Sequence, residues 1–173
     1  WDEVRQASFE ARIARITASC GLPLTWVENV EVVDFFAEFI PSALVPSRTT
    51  LGNRIIPAEL HKFRDNAQNE CKGKLATVQC DGYTASNQHH LVAFMITVGG
   101  KVYTIRAYDT SDEPKTAANL FPRILEIIDF VEKEWAVAVV AVTSDCSGES
   151  RAARAEVVKA RPKLVGPDCY AHQ

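Results

Sequence analysis

No apolar run in this sequence is long enough to cross a bilayer. The longest uncharged apolar run, Trp135–Val142, has the length of a strand, whereas a membrane-spanning helix needs roughly 20 residues. The sequence also lacks a basic excess. Its 19 Lys and Arg stand against 22 Asp and Glu, a formal net charge of −3, which leaves no overall electrostatic footprint for a nucleic acid, although a local basic face is compatible with it. There is no disulfide framework, because the five cysteines are odd in number and irregularly spaced, at 20, 71, 80, 146 and 169. That pattern fits a reducing, intracellular compartment. Nothing at the start reads as a signal peptide, since Trp1-Asp2-Glu3-Val4-Arg5 is charged and no long apolar run follows.

What is present has ordinary proportions. Hydrophobic residues make up 47% and charged residues 24% of 173, the balance of a soluble domain with one substantial core and room for a small helical annex. The chain opens on Trp rather than Met and stops at Gln173, so it reads as a domain cut from a longer protein.

The first third has helical spacing. Val4, Phe9, Ile13 and Ile16 recur over residues 3–19, and Gly21 with Pro23 stands where a helix ends. A second helix is predicted over Asn29–Ile40, with Val32, Val33, Phe36 and Phe39 on one side and Pro41 as its stop. A third opens at Pro46-Ser47, and Pro57 starts a fourth that runs to about Glu70. The character changes at Gly73. Leu75–Cys80, Leu91–Val98 and Val102–Ala107 read as strands, with Gly99-Gly100 as a two-residue hairpin turn between the last two.

A helix follows, carrying Ala117, Leu120, Phe121, Ile124, Ile128 and Val131 at i, i+3, i+4 spacing. Pro122 is expected to kink it or to mark its start. Trp135–Thr143 reads as a central strand buried on both faces. Ser147 caps a helix to about Ala160 with Pro162 as its stop, and Lys163–Cys169 begins a fifth strand. The division is thus a helical lead-in, residues 1–72, and an α/β domain, residues 73–173. The order β-β-β-α-β-α-β is that of a ribonuclease H-like mixed sheet. Its predicted strand order is 3-2-1-4-5, three antiparallel strands then parallel ones, because the right-handed crossover seats the fourth strand beside the first.

In that arrangement two runs each deliver a carboxylate. Leu75–Cys80 leads to Asp81, where Gly82 is expected to break the strand, and Trp135–Thr143 leads to Ser144-Asp145. Neighbouring strands lie about 4.8 Å apart, and paired metal ions in phosphoryl-transfer sites lie roughly 3.5–4 Å apart. Asp81 and Asp145 could therefore share Mg²⁺ (or Mn²⁺), which prefers oxygen ligands. Spacing alone favours the plainer reading, in which Asp81-Gly82 is a turn and Asp145 leads into a helix cap.

The motifs CDGYT at 80–84, TSDCSGES at 143–150 and CYAH at 169–172 occur in the order and spacing of the hAT superfamily of DNA transposases. The lead-in segments GLPLTWVENVEVVDFF and PSRTTL resemble the same family, so the resemblance covers most of the chain. It implies that Asp81 and Asp145 are the first two members of a catalytic Asp-Asp-Glu triad and are metal ligands. It implies that Cys169 and His172 form the family's C-x-x-H motif, which handles the DNA end. It further implies transposon-end DNA as partner, homo-oligomerisation through regions outside this chain, and location in the nucleus. Three departures accompany it. Tyr83 stands where the family has Trp, Cys146 follows the second Asp in place of Asn or Gly, and the chain ends before the third carboxylate. Two carboxylates alone bind Mg²⁺ weakly, so this stretch by itself is expected to be inactive.

Other groupings have plainer readings. Cys169 and His172 make only one metal-ligand pair, with Cys146 or His89-His90 as the candidates to complete a zinc site. His89-His90 reads as a solvated loop end, and Asp109 and Asp112 as turn residues. Arg48, Arg54, Lys62, Lys72 and Lys74 could contact a DNA backbone but are interleaved with acids, as on a solvated helix face. Ser147 suits a cap better than a nucleophile. Two further functions stay open: a domesticated, non-catalytic nuclear module that binds DNA or protein, and a thiol enzyme using Cys146.

Overall fold

The Asp2 carboxylate accepts a hydrogen bond from the Arg5 amide and starts α1 (Glu3–Cys20). Gly21 ends it in the left-handed conformation at φ 61°, donating back to the last turn. A short 3-10 turn, Leu24–Glu28, leads to α2 (Val30–Phe39), which Asn29 caps. Ser47 caps α3 (Arg48–Thr50), which runs through a π-helical turn, Leu51–Ile55, into α4 (Ile56–Cys71). The Ile56 amide reaches back five residues to the Leu51 carbonyl, directly before Pro57, which has no amide hydrogen to offer. Pro57 is thus the second residue of α4, at the start of the fourth helix as its position predicts.

The chain divides into two compact units, Trp1–Asn66 and Ala67–Gln173. The structure is a computed structural model and describes residues 1–84 and 88–169. The first unit has a small core of Ile13, Ala14, Val27, Leu51 and Ile55, against which Phe9 and Phe36 pack edge to face at 5.2 Å. Of the apolar residues along α2, Phe36 joins this core, whereas Phe39 remains 63% exposed.

The second unit is built on β1 (Leu75–Thr84), β2 (His90–Val98), β3 (Lys101–Asp109) and β4 (Ala138–Ser144), in the order β3-β2-β1-β4. The pairs β1–β2 and β2–β3 are antiparallel and β1–β4 is parallel. The connection from β3 to β4 runs through α5 (Ala117–Glu134), and α6 (Gly148–Ala160) follows β4. This is the ribonuclease H-like mixed sheet that the pattern predicted. Gly99 and Gly100 sit at φ 56° and 82° and form the two-residue hairpin turn between β2 and β3. The core is continuous from the sheet to both helices, with Val78, Phe94, Ile96 and Val142 meeting Ile124, Ile128, Val131 and Val157.

Five local expectations are corrected. The fifth strand is reduced to two isolated parallel bridges, Ala141 with Val165 and Ser144 with Asp168; Pro167, lacking a donor, interrupts the ladder between them. Gly82 does not break β1, which continues to Thr84 because its pairing with β2 persists, Gly82 opposite Val92. Trp135 lies before β4, where it caps α5 and packs its buried ring edge-on against Tyr103 at 5.8 Å. A register shift at Ala76/Thr77 leaves Val140 partly exposed, so β4 is not covered on both faces. Pro122 sits inside α5, which begins at Ala117 under a Thr116 cap. The ring removes the bond to the Ala118 carbonyl without marking the helix start.

Candidate functional site

The last residues paired between the parallel strands β1 and β4 are Cys80 and Ser144, and Asp81 and Asp145 each follow by one residue. Two different forces bring the chains to that point. Asp81 is held within β1 by pairing to Ala93 of β2. Asp145 is held in the tight turn into α6, where its Oδ1 accepts from Ser147 Oγ at 3.1 Å and Ser147 Oγ in turn accepts from the Ser150 amide at 3.3 Å. Ser147 is therefore the cap that its position suggested.

Asp81, exposed, and Asp145, half-buried, line one cleft of about 190 Å³ together with Tyr83, Lys115, Arg123 and Glu149. The Arg123 guanidinium is already committed. It binds both oxygens of Glu113 at 2.6 Å and lies 5.5 Å over the Tyr108 ring. Asp81, Asp145 and Glu149 have no ion-pair partner among the described residues. The mouth of the cleft is therefore locally acidic, which favours a cation between the strand ends. The donor set is oxygen-rich and suits a hard divalent ion such as Mg²⁺. Among the described residues no group of three His, Cys, Asp or Glu is placed to hold one metal ion, so the pair stands as two carboxylates without a third ligand.

Three residues of this region escaped the sequence reading. Glu149 stands in the first turn of α6, four residues after Asp145, a spacing that returns to the same end of the helix. Arg154 is 3% exposed and shares the buried face of α6 with Ser150, Ala153 and Val157. Its guanidinium donates to the Ser144 carbonyl at 3.0 Å, to the Asp145 carbonyl at 2.8 Å and to Ser144 Oγ, and it pairs with Asp168. An arginine in phase with Val157 was the available signal.

The remaining candidates separate. Cys169 reaches the same strand end, its amide donating to the Ser144 carbonyl at 3.0 Å, and Cys146 Sγ lies 4.0 Å from the Cys169 carbonyl. His172 lies outside the described residues. Arg48, Arg54 and Lys62 pair with Glu28, Glu10 and Glu59 at 3.5, 3.0 and 2.9 Å, as expected of a solvated helical face. His89 and His90 are hydrogen-bonded at the strand ends, more than a plain solvated loop end would be. His89 Nδ1 lies 2.7 Å from Asp109 Oδ2, and His90 Nδ1 lies 2.8 Å from Thr84 Oγ1.

Two of these environments have measurable consequences. Burial pushes the Cys80 thiol up to about 12, and the nearby Asp145 charge adds to the shift. At pH 8, iodoacetamide is therefore expected to alkylate exposed Cys20 and to spare Cys80 in the folded chain, as read by peptide mass mapping. Equal labelling of the two would contradict the buried environment. Asp109 is held down to about 2, chiefly by the Ser111 hydroxyl, then by His89 and the Ser111 amide. Its folded value lies below its unfolded one, so its stabilising contribution is present above about pH 4 and is lost as pH falls through about 2. A carboxyl carbon NMR titration is expected to place the Asp109 midpoint near 2; a midpoint near 4 would remove the assigned hydrogen bonds.

No protein-family model matches the sequence, and no curated protein matches it. Among solved structures, the catalytic core domain of BIV integrase aligns over 56% of this chain and 56% of that chain, with a TM-score of 0.36 and 14% identity. Human ENDOV aligns over 53% and 48%, with a TM-score of 0.33 and 12% identity. An Aquifex aeolicus member of the Ppx/GppA family aligns over 56% and 35%, with a TM-score of 0.31 and 18% identity. The chain spans about half the length of the first two of these structures. Likenesses this partial carry no functional argument, and the fold assignment stands on strand order and register.

Proposed function

We propose that this chain is the first part of the catalytic domain of a hAT-like DNA transposase, with Asp81 and Asp145 as its metal ligands. One observation carries the reading: the two aspartates stand one residue beyond the paired Cys80 and Ser144 on adjacent parallel strands and share a single cleft. The motif order CDGYT, TSDCSGES, CYAH supports the family assignment. The partner in this reading is transposon-end DNA, as the motif resemblance implies. Cys169, tied to the strand end beside Asp145, and His172 would handle the DNA end. Nuclear location and homo-oligomerisation through regions beyond this chain belong to the same proposal.

Asp81 and Asp145 would hold Mg²⁺ or Mn²⁺, which when bound supplies charge stabilisation for an in-line displacement at phosphorus. The chain's own contribution is to present one carboxylate from the end of β1 and one from the turn after β4 at the same end of the sheet, so that little reorganisation is left for the reaction itself. Two carboxylates bind such an ion weakly, and the third would come from sequence beyond this chain. The test is Mn²⁺-dependent nicking of DNA by the complete protein and by its Asp81→Asn variant.

A second reading is a domesticated, non-catalytic nuclear module that keeps the fold and binds DNA or protein. It is favoured by the lack, among the described residues, of any three-ligand group and by Cys146 beside Asp145. A Glu positioned after the helical insertion of the complete protein separates the two readings.

A further inference from the structure

We infer that Arg154 is a positioning residue for Asp145, an inference that rests on the paired-carboxylate reading of the cleft. One guanidinium nitrogen donates both to the Ser144 carbonyl, at 3.0 Å, and to the Asp145 carbonyl, at 2.8 Å. Those carbonyls belong to the peptide groups before and after the Asp145 Cα. Holding both fixes the two soft backbone dihedrals that decide where the carboxylate stands.

The other terminal nitrogen pairs with Asp168, whose second carboxylate oxygen accepts from Arg151 at 3.0 Å. The next residue, Cys169, donates its amide to the Ser144 carbonyl at 3.0 Å. One buried side chain thus ties the end of β4, the second turn of α6 and the bridged tail to the segment that carries Asp145.

Packing alone does not account for this residue. The neighbouring buried positions on α6 are Ala153 and Val157, and an aliphatic side chain at 154 would continue that face without burying a charge. Moreover, the buried Arg154 Nε has no hydrogen-bond partner among the described residues, and an unmet buried donor costs stability. Lysine could not make the same contacts, since an ammonium lacks the planar fork that spans two carbonyls and a carboxylate.

Electrostatics and positioning make opposite forecasts. Removing a cation beside Asp145 should strengthen binding of a divalent ion by charge alone, whereas releasing the Asp145 backbone should weaken it. The test uses Mn²⁺ as probe, with the free ion counted by electron paramagnetic resonance. The proteins are the whole chain and its Asp81→Asn, Arg154→Met, Arg154→Lys and Val157→Ala variants. Val157→Ala perturbs the same helix face without touching Asp145. Amide hydrogen exchange at Asp145, Cys146 and Ser147 is followed in the metal-free proteins.

Arg154→Met is expected to weaken Mn²⁺ binding about tenfold or more and to speed exchange at those three amides, with Ile127 and Ile128 unchanged. Val157→Ala is expected to leave Mn²⁺ binding within about twofold of the parent, and Arg154→Lys to fall between. Mn²⁺ binding that is unchanged or tighter in Arg154→Met would overturn the inference.

If Asp81→Asn binds Mn²⁺ as well as the parent, the metal reading of the cleft fails; if the parent binds none, the ion requires the third ligand from outside this chain. The exchange data then decide on Arg154 alone: local acceleration upholds the positioning role, and unchanged rates remove it. Should both Arg154 variants fail to fold, Asp168→Asn, which keeps the guanidinium and removes its carboxylate partner, is read by the same two measurements and the same criteria.

Discussion

The complete protein carrying Asp81→Asn is expected to nick supercoiled DNA in Mn²⁺ at least about a hundredfold more slowly than the parent, the scale of removing one electrostatic group from a preorganised site. The substitution keeps shape and removes one of two negative charges at the strand ends. Its effect on folding should be small, because Asp81 is exposed and has no ion-pair partner among the described residues. The chemical and structural consequences are therefore separable. Asp145→Asn is expected to lose activity similarly, although the Ser147 hydroxyl, which now donates to Asp145 Oδ1, must find its partner in the new amide oxygen. Equal nicking by the parent and Asp81→Asn would remove the transposase reading. Absence of nicking from both, in a protein shown to carry the downstream Glu, would move the assignment to the non-catalytic module.

The largest stability effect is expected from Phe94→Ala, a loss of about 3–5 kcal/mol. Phe94 is fully buried in β2, between β1 and β3, with its ring edge-on to Tyr108 at 5.7 Å. Truncation removes both the transfer free energy of the ring and its contacts with neighbours that cannot close in, because the strands on either side are fixed by their ladders. Against a typical total stability of about 5–15 kcal/mol, that loss is enough to bring the domain near its unfolding midpoint. Val102→Ala, at a position 59% exposed on β3, serves as the contrast and is expected to shift stability by about 0.5 kcal/mol or less. Urea denaturation read by circular dichroism compares the three proteins. A shift below about 1 kcal/mol for Phe94→Ala would mean that the sheet core is looser than its burial indicates.

The elements that could be read from the chain were those whose signals are local. The β2–β3 hairpin follows from Gly99-Gly100, where positive φ is cheap only for glycine. The start of α6 follows from Ser147, and the seating of β4 beside β1 from the handedness of a crossover through α5. Two of the misread boundaries were set by partners distant in sequence, and the third by a proline within the segment itself. Gly82 resembles a strand end, yet β2 extends the pairing past it. Trp135 resembles the first residue of a strand, yet it caps α5 and packs on Tyr103 from β3. Lys163–Cys169 resembles a strand, yet Pro167 permits only two bridges to β4.

The identities of Asp81 and Asp145, their flanking apolar runs and the chain order of the elements around them are properties of the sequence alone. Together they were sufficient for the ribonuclease H-like topology, because strand pairing and crossover hand admit few arrangements of such a pattern. Only the tertiary structure decided that Glu149 opens onto the same cleft and that Arg154 and Asp168 clasp the backbone around Asp145. Those contacts depend on how α6 and the tail pack back onto β4, a through-space register that no periodicity in the chain encodes.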